Sequence, residues 1–391
     1  MNTASPLGRR RARAFAAASA IAIAALTLAG CAANGGSAPE SSPSTSPAAE
    51  SDLAATVAKL QEPLEAYPVP TEPIEDVSSV EGKTVYYIPI TLQSPAFTVT
   101  ANGLTDALET VGVNVQLCDG KGTPTDISAC VNQATEANAA SIVLDAIPYG
   151  LAGNALDAAQ AAGIPVIINN QIPDPAHPDS ETLETIPGSG TSMEVALSQW
   201  FALDSNGAGS LLINQSTDGP SPAAYVKTAQ EEIADDCADC TITINGISVS
   251  SFSLIPSSTS AALLQNPEIG YVEAQYDQYL QPTQGGVQQS GRTDIKGMAG
   301  AAGLGSLQAL ENGTFLYAAA SPALTFQGWI DADASLRLIL GIPVPDYVVP
   351  VRLFTRDTIS NDTLTEEAEA SGEWFGPTTF PKDFESLWGV A

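Results

Sequence analysis

The stretch 83–171 switches repeatedly between two hydrophobic periods, and that alternation constrains the fold more than any other feature of the chain. The run 85–90 (VYYIPI) is apolar and ends at a loop, TLQSPAF. From Phe97 the period lengthens: Phe97, Ala101, Leu104, Leu108 and Val111 fall three or four residues apart, one stripe of a helix. Gly112 follows, where a left-handed cap is wanted. The pattern then repeats. A strand is predicted at 113–118, then a helix carrying Ile127, Val131 and Ala134 and begun by Thr125 or Asp126. A strand at 141–146 (SIVLDA), a helix over 150–162 stopped by Gly163, and a strand at 164–168 (IPVII) complete the set, which ends at Asn169-Asn170-Gln171. Strands without alternation, separated by helices of about a dozen residues, predict a parallel sheet covered on both faces. Ligands of such sheets bind beyond the carboxyl ends of the strands. The loops 93–97 and 169–171 are therefore the first places to look for function.

A second set follows an irregular, proline-rich stretch over 172–184 that holds the single histidine, His177. Met193, Leu197 and Phe201 form a helical stripe. Strands are predicted at 210–214, 241–249, 269–274, 295–299, 315–319 and 347–353. Helices are predicted at 222–234, 257–264, around Leu307 and Leu310, and over 323–340. The tail, 354–391, carries Trp374, Phe375 and Trp388, which are expected to pack down. Two successive sets of similar size suggest two similar lobes rather than a short tandem repeat.

The first thirty residues read as a targeting segment. Arg9, Arg10, Arg11 and Arg13 precede an apolar run, 15–28, that ends in Leu28-Ala29-Gly30-Cys31. The run is short and alanine-rich for a membrane span. Residues 32–52 are mostly Ser, Pro, Ala and Gly, the composition of a flexible tether. A short helix is possible over 53–66, and the proline-rich 67–81 is expected to lie extended over the surface. The chain carries 44 acidic residues against 14 basic ones, a formal charge of −30. A surface that acidic repels phosphate backbones, so nucleic acid is not an expected partner, and the charge serves solubility. Setting Cys31 aside leaves Cys118, Cys130, Cys237 and Cys240, an even number that suggests two disulfides outside the cytoplasm. A bridge between Cys118 and Cys130 would span one strand-to-helix crossover, and such a loop contributes about 3 kcal/mol. Cys237-Ala-Asp-Cys240 closes a helix instead of opening one, which favours a structural clip over a redox pair.

From Val85 to Gln171 the strand order, the loop TLQSPAF, the run SIVLDA and the segment AAQAAGIPVI resemble the periplasmic ribose-binding-protein family, the type I substrate-binding proteins of ABC importers. The tetrapeptide ending at Cys31 resembles a lipoprotein lipobox. The resemblance implies cleavage before Cys31, a lipid on its sulfur, and an extracytoplasmic protein anchored to the outer face of the cell membrane. It implies an α/β fold of two Rossmann-like lobes with parallel sheets joined by a three-strand hinge. The boundaries it implies are 1–30 for the signal peptide and 31–82 for the tether and extended segment. The N-terminal lobe is 83–188 with 321–347, and the C-terminal lobe with the tail is 189–320 with 348–391. The chain would cross between lobes near 186–190, 320–322 and 348–351. A small molecule would be held between the lobes and delivered by a monomer to an ABC permease, with no cofactor, no metal and no catalysis.

The family's ligand contacts carry over in part. Its Asn-Pro-Phe-Phe matches Ser94-Pro95-Ala96-Phe97, beside Gln93, so one stacking aromatic remains. Its Asp-Arg after the fourth strand matches Asn170-Gln171. Tyr225 stands in place of an Arg, and Tyr276-Asp277, preceded by Gln275, in place of Asn-Asp. A ligand-binding Asp aligns near Ala301, and a Gln near Ser321. Charged groups that hold vicinal hydroxyls thus give way to amides, phenols and methyls. The expected ligand is neutral, carries fewer hydroxyls than a pentose, and is flanked by Phe97, Tyr225 and Tyr276.

Competing classes lack their residues. TLQSPAF is not the G-x-G-x-x-G of a dinucleotide fold. A Ser-His-Asp triad would have to use His177, without a G-x-S-x-G. Asp331-Ala-Asp333 and Asp235-Asp236 read as solvated helix faces. A receptor of the same fold, reporting to a chemoreceptor or histidine kinase, is the alternative the residues leave open.

Overall fold

The computed structural model describes residues 47–391; the lipobox, Cys31 and most of the expected tether lie outside the described residues. The chain begins with α1 (Pro47–Leu60), so helix starts inside the segment expected to be tether. The first half follows as β1 (Thr84–Pro89), α2 (Pro95–Glu109), β2 (Asn114–Leu117), α3 (Pro124–Glu136), β3 (Ser141–Asp145), α4 (Gly153–Ala161), β4 (Val166–Asn169) and β5 (Leu183–Ile186). Its five strands pair in the order β2-β1-β3-β4-β5, all parallel. The cap of α3 is neither Thr125 nor Asp126. Thr123 takes that place, its hydroxyl accepting from the Asp126 amide at 3.1 Å and donating to the Asp126 carboxylate at 2.6 Å, so two polar groups satisfy each other at the helix start. The strand β5 begins in the last two residues of the stretch expected to be irregular and runs on to Ile186.

The second half comprises α5 (Gly190–Asp204), β6 (Ser210–Ser216), α6 (Ser221–Glu232), β7 (Thr241–Ile247), α7 (Ile255–Gln265), β8 (Tyr271–Ala274), α8 (Leu280–Ser290), β9 (Lys296–Ala299), α9 (Leu304–Glu311) and β10 (Leu316–Pro322). Then come α10 (Leu324–Leu340), β11 (Val351–Thr355), α11 (Glu366–Ser371) and α12 (Phe380–Leu387). The second sheet has six strands in the order β11-β10-β9-β8-β6-β7. Its last strand, β11, runs antiparallel to β10. It begins later than the run at Tyr347 suggested.

The helix α10 follows a strand of the second sheet yet packs on α2 and on β3 of the first. The contact between α10 and α2 is tight because both helices put glycine there. A Cβ on Gly103 would meet the Thr325 carbonyl at 2.5 Å, and one on Gly328 the Leu104 amide at 2.4 Å. Both helices start at the same edge of the sheet, so this packing fixes two walls of what lies there. Asp331 and Asp333, expected on a solvated face, are both fully buried, because α10 is covered on one side by the sheet and on the other by the tail. The tail, grouped with the second lobe on sequence, lays α12 against α10 of the first half. Trp388 stacks on Trp329 with ring centroids 5.6 Å apart, and its indole N–H donates to Asp333 at 2.8 Å.

Both expected disulfides are formed, Cys118–Cys130 across the β2-to-α3 crossover and Cys237–Cys240 after α6. Among the described residues no helix is long and apolar enough to cross a membrane.

Candidate functional site

The loops that leave β1, β3 and β4 in the first half, and β6, β8 and β9 in the second, line one cavity. Its volume is about 120 Å³. At about 30 Å³ for each packed water that is room for about four waters, the scale of a cavity that takes one small ring. The halves touch across it. The Ser221 hydroxyl accepts from the Ile172 amide at 3.0 Å and donates to the Gln171 side chain at 2.8 Å, and the Tyr225 hydroxyl donates to the Asn170 carbonyl at 2.9 Å. The rims also meet: a Cβ on Gly122 would lie 2.4 Å from Val249, and one on Gly219 would lie 3.2 Å from Pro148. This is a closed arrangement.

The wall from the first half is built at helix and strand ends. Ser94 is extended, and Pro95 then starts α2, placing Phe97 in the first turn with its side chain on the cavity. Asp145 ends β3. It is buried, accepts from the Tyr87 hydroxyl at 2.5 Å and from the Asn170 side-chain amide at 2.7 Å, and lines the cavity. Burial pushes the Asp145 carboxyl above the usual carboxylate range, and the hydrogen bonds from Tyr87 and Asn170 oppose that. Ala146, Asn170 and Ala301 all line the cavity with φ of +58°, +55° and +50°. For alanine that conformation costs roughly 1–2 kcal/mol, and such strain gathers at binding sites.

The wall from the second half is mostly carbon. Met193 lies on α5 and accepts from the Ala301 amide through sulfur at 2.8 Å. Tyr225 reaches Asn170 because residue 190 is glycine: a Cβ there would sit 2.3 Å from the Tyr225 ring. Burial pushes the Tyr225 phenol up to about 12 and that of Tyr276 well above its ordinary range, so both stay protonated. Asp218 stands near the rim, accepting from the Val249 amide at 2.8 Å, and burial raises its carboxyl. Asp145 and Asp218 are the charged side chains among the lining residues, and neither lysine nor arginine is present there.

Of the residues singled out from the sequence, Ser94, Phe97, Asn170, Gln171, Tyr225 and Tyr276 line the cavity. The Gln171 side-chain oxygen and the Tyr225 hydroxyl are spent on the opposite half, while the Gln171 side-chain amide donates to the Asn170 carbonyl at 2.8 Å. Gln93, Gln275 and Asp277 do not line it. Gln93 is exposed, Gln275 holds the Ser216 amide at 2.7 Å and the Pro222 carbonyl at 3.1 Å, and Asp277 is bonded to Ser306. His177 stacks on Tyr149 at 3.8 Å and bonds Asp174, away from the lining residues. Sequence reasoning passed over Asp145, Met193 and Asp218. Asp145 carried a signal, since it closes an apolar strand at the carboxyl edge where ligands bind. Met193 read as core, and Asp218 as loop.

No family model matches the chain, and no curated protein matches it. Solved structures do. A Mycobacterium smegmatis protein in complex with β-D-fucofuranose has a TM-score of 0.64 at 21% identity, over 75% of this chain and 98% of its own. The 5-methylthioribose transporter solute-binding protein of Thermotoga lettingae, in complex with 5-methylthioribose, has a TM-score of 0.66 at 16% identity, over 81% and 99%. The periplasmic component of the arabinose ABC transporter of Shewanella sp. ANA-3, bound to L-arabinofuranose, has a TM-score of 0.62 at 15% identity, over 71% and 94%. With two mostly parallel α/β lobes facing each other across a cavity, the chain has the type I periplasmic-binding-protein fold that these structures share.

Proposed function

We propose that the protein is an extracytoplasmic solute-binding protein, lipid-anchored through Cys31, that captures one small neutral sugar or sugar-like molecule between its lobes and delivers it to an ABC importer. It transforms nothing. The observation that carries this reading is the small, closed cavity lined from both lobes, with two carboxylates and no cation on its walls. An anionic solute would meet uncompensated carboxylates in a desolvated site. A hydroxyl donor, by contrast, finds an acceptor in Asp145, while Phe97 offers a face for C–H groups. The other wall, with Met193, Tyr225 and Tyr276, favours a ligand with fewer hydroxyls than a free pentose, such as a deoxy sugar or a nucleoside. The fold's neighbours, whose bound molecules are sugars or a thio-substituted sugar, support the class.

A thermal-shift screen against sugars, deoxy sugars, polyols, nucleosides and sugar acids tests it. A solute at 100 times its dissociation constant stabilises by about 2.7 kcal/mol, a shift of several degrees. The reading predicts such shifts for neutral members and none for acids; a panel without any shift among the neutral solutes contradicts it.

A further inference from the structure

The two ends of the described chain form a layer of their own. The helix α1 lies on the second lobe, with Leu53 and Val57 buried among Met193, Leu197 and Trp200. From Gln61 onward the chain leaves that lobe. Tyr67 packs on Phe326 of α10 with centroids 4.7 Å apart, and the Glu72 carbonyl accepts from Arg337 of α10 at 2.5 Å. The tail makes the same passage from the opposite terminus. It leaves the second sheet at β11 and docks α12 on α10 through Phe380, Phe384 and Trp388. To the hinge crossings after β5, after β10 and before β11, the termini therefore add two more.

The two added passages are joined to each other. The Leu64 amide donates to the Phe375 carbonyl at 2.7 Å, the Ile74 amide to the Leu387 carbonyl at 3.0 Å, and the Tyr67 hydroxyl to the Gly372 carbonyl at 2.6 Å. Arg352 of β11 ties both, holding Gln61 at 2.8 Å, Trp374 at 2.7 Å and the Asp362 carboxylate at 2.6 Å. One residue of α11 touches both lobes at once. The Glu369 carboxylate accepts from the Leu304 amide at the start of α9 at 2.7 Å, and its carbonyl accepts from the Thr325 hydroxyl at the start of α10 at 3.2 Å. A carboxylate at a helix N-terminus is a strong acceptor, and rotation of one lobe from the other must break one of these two bonds.

We propose that the paired termini are a strap that holds the lobes in the closed arrangement, with Glu369 as its pin, so that the protein stays closed before any solute binds. The strap works through contacts made only when α9 and α10 lie at this separation, which is the condition for biasing a two-state hinge.

The test is single-molecule energy transfer in the full chain, between dyes on non-natural residues at Lys121 and Ser250, exposed positions on opposite rims. With no solute added, the unmodified sequence is expected to show one high-efficiency population. Glu369→Ala should raise the low-efficiency fraction by about tenfold, the scale of one charge-assisted hydrogen bond, and Thr325→Val by about fivefold, the scale of a neutral one, while Glu369→Gln, which keeps an acceptor oxygen, should move it less than Glu369→Ala. Two variants that act on opposite bonds guard against a folding defect in one of them, and melting temperatures report folding directly. A parent protein already open without solute, or folded variants with unchanged distributions, overturns the strap.

Discussion

At the scale of single residues the cavity is a set of strand and helix ends. Asp145 is the one carboxylate buried deep in it, and its partners Tyr87 and Asn170 hold it in place. Asp145→Ala removes an acceptor and leaves two donors without a partner, so affinity for the best solute of the screen should fall about ten- to a hundredfold, the effect of a charged hydrogen bond, as read by calorimetry. A second pair of acids lies under the opposite wall. Glu194 and Glu273 are fully buried and face each other. Burial pushes Glu194 up to about 7 and, with the charge of Glu194, Glu273 well above its usual range. The folded state therefore binds protons that the unfolded chain, titrating near 4.3, releases. Stability contributed by this pair is present at acid pH and is lost as pH rises through 7. The melting temperature should drop between pH 5 and pH 8, and Glu273→Gln should flatten that slope; a slope unchanged in the variant would assign it to other groups.

At the scale of elements, periodicity carried the argument well wherever one face was buried. The helix α2 is readable because Leu104 and Leu108 are entirely buried and impose their spacing, and the strands β1 and β3 because they are buried along nearly their whole length and so read as unbroken apolar runs. The helix α8 was missed because LQPTQGGVQQS buries only Leu280, Thr283, Gly286 and Val287, too few apolar groups to mark a stripe. The destination of the tail was hidden for a different reason: Phe380, Phe384 and Trp388 announce burial, but nothing local says against which lobe. The same holds for Asp331 and Asp333, whose burial depends on what covers α10. The α2–α10 contact is the element-level weak point. Gly328→Ala would press a methyl into the α2 backbone, and overpacking of that kind costs about 1–3 kcal/mol. Chemical denaturation should show the loss, whereas Gly285→Ala on α8, where a Cβ meets nothing within 4 Å, should not.

At the scale of the whole molecule, the site exists only because two sheets present their carboxyl edges to one another. Three of the nine contacts expected from the sequence, Asn170, Gln171 and Tyr225, proved to make lobe-to-lobe bonds as well as cavity walls, Tyr225 with Asn170 and Gln171 with Ser221. Closure and recognition therefore share residues, and a solute that binds must fit a cleft whose shape is set by those bonds. The most direct test is a crystal structure of the protein with the neutral solute that gives the largest thermal shift. The account predicts one molecule between the lobes, a ring or methylene face on Phe97 and a hydroxyl on Asp145. A solute seated outside the cleft, or a cleft filled by the protein's own side chains with the solute present, would contradict it.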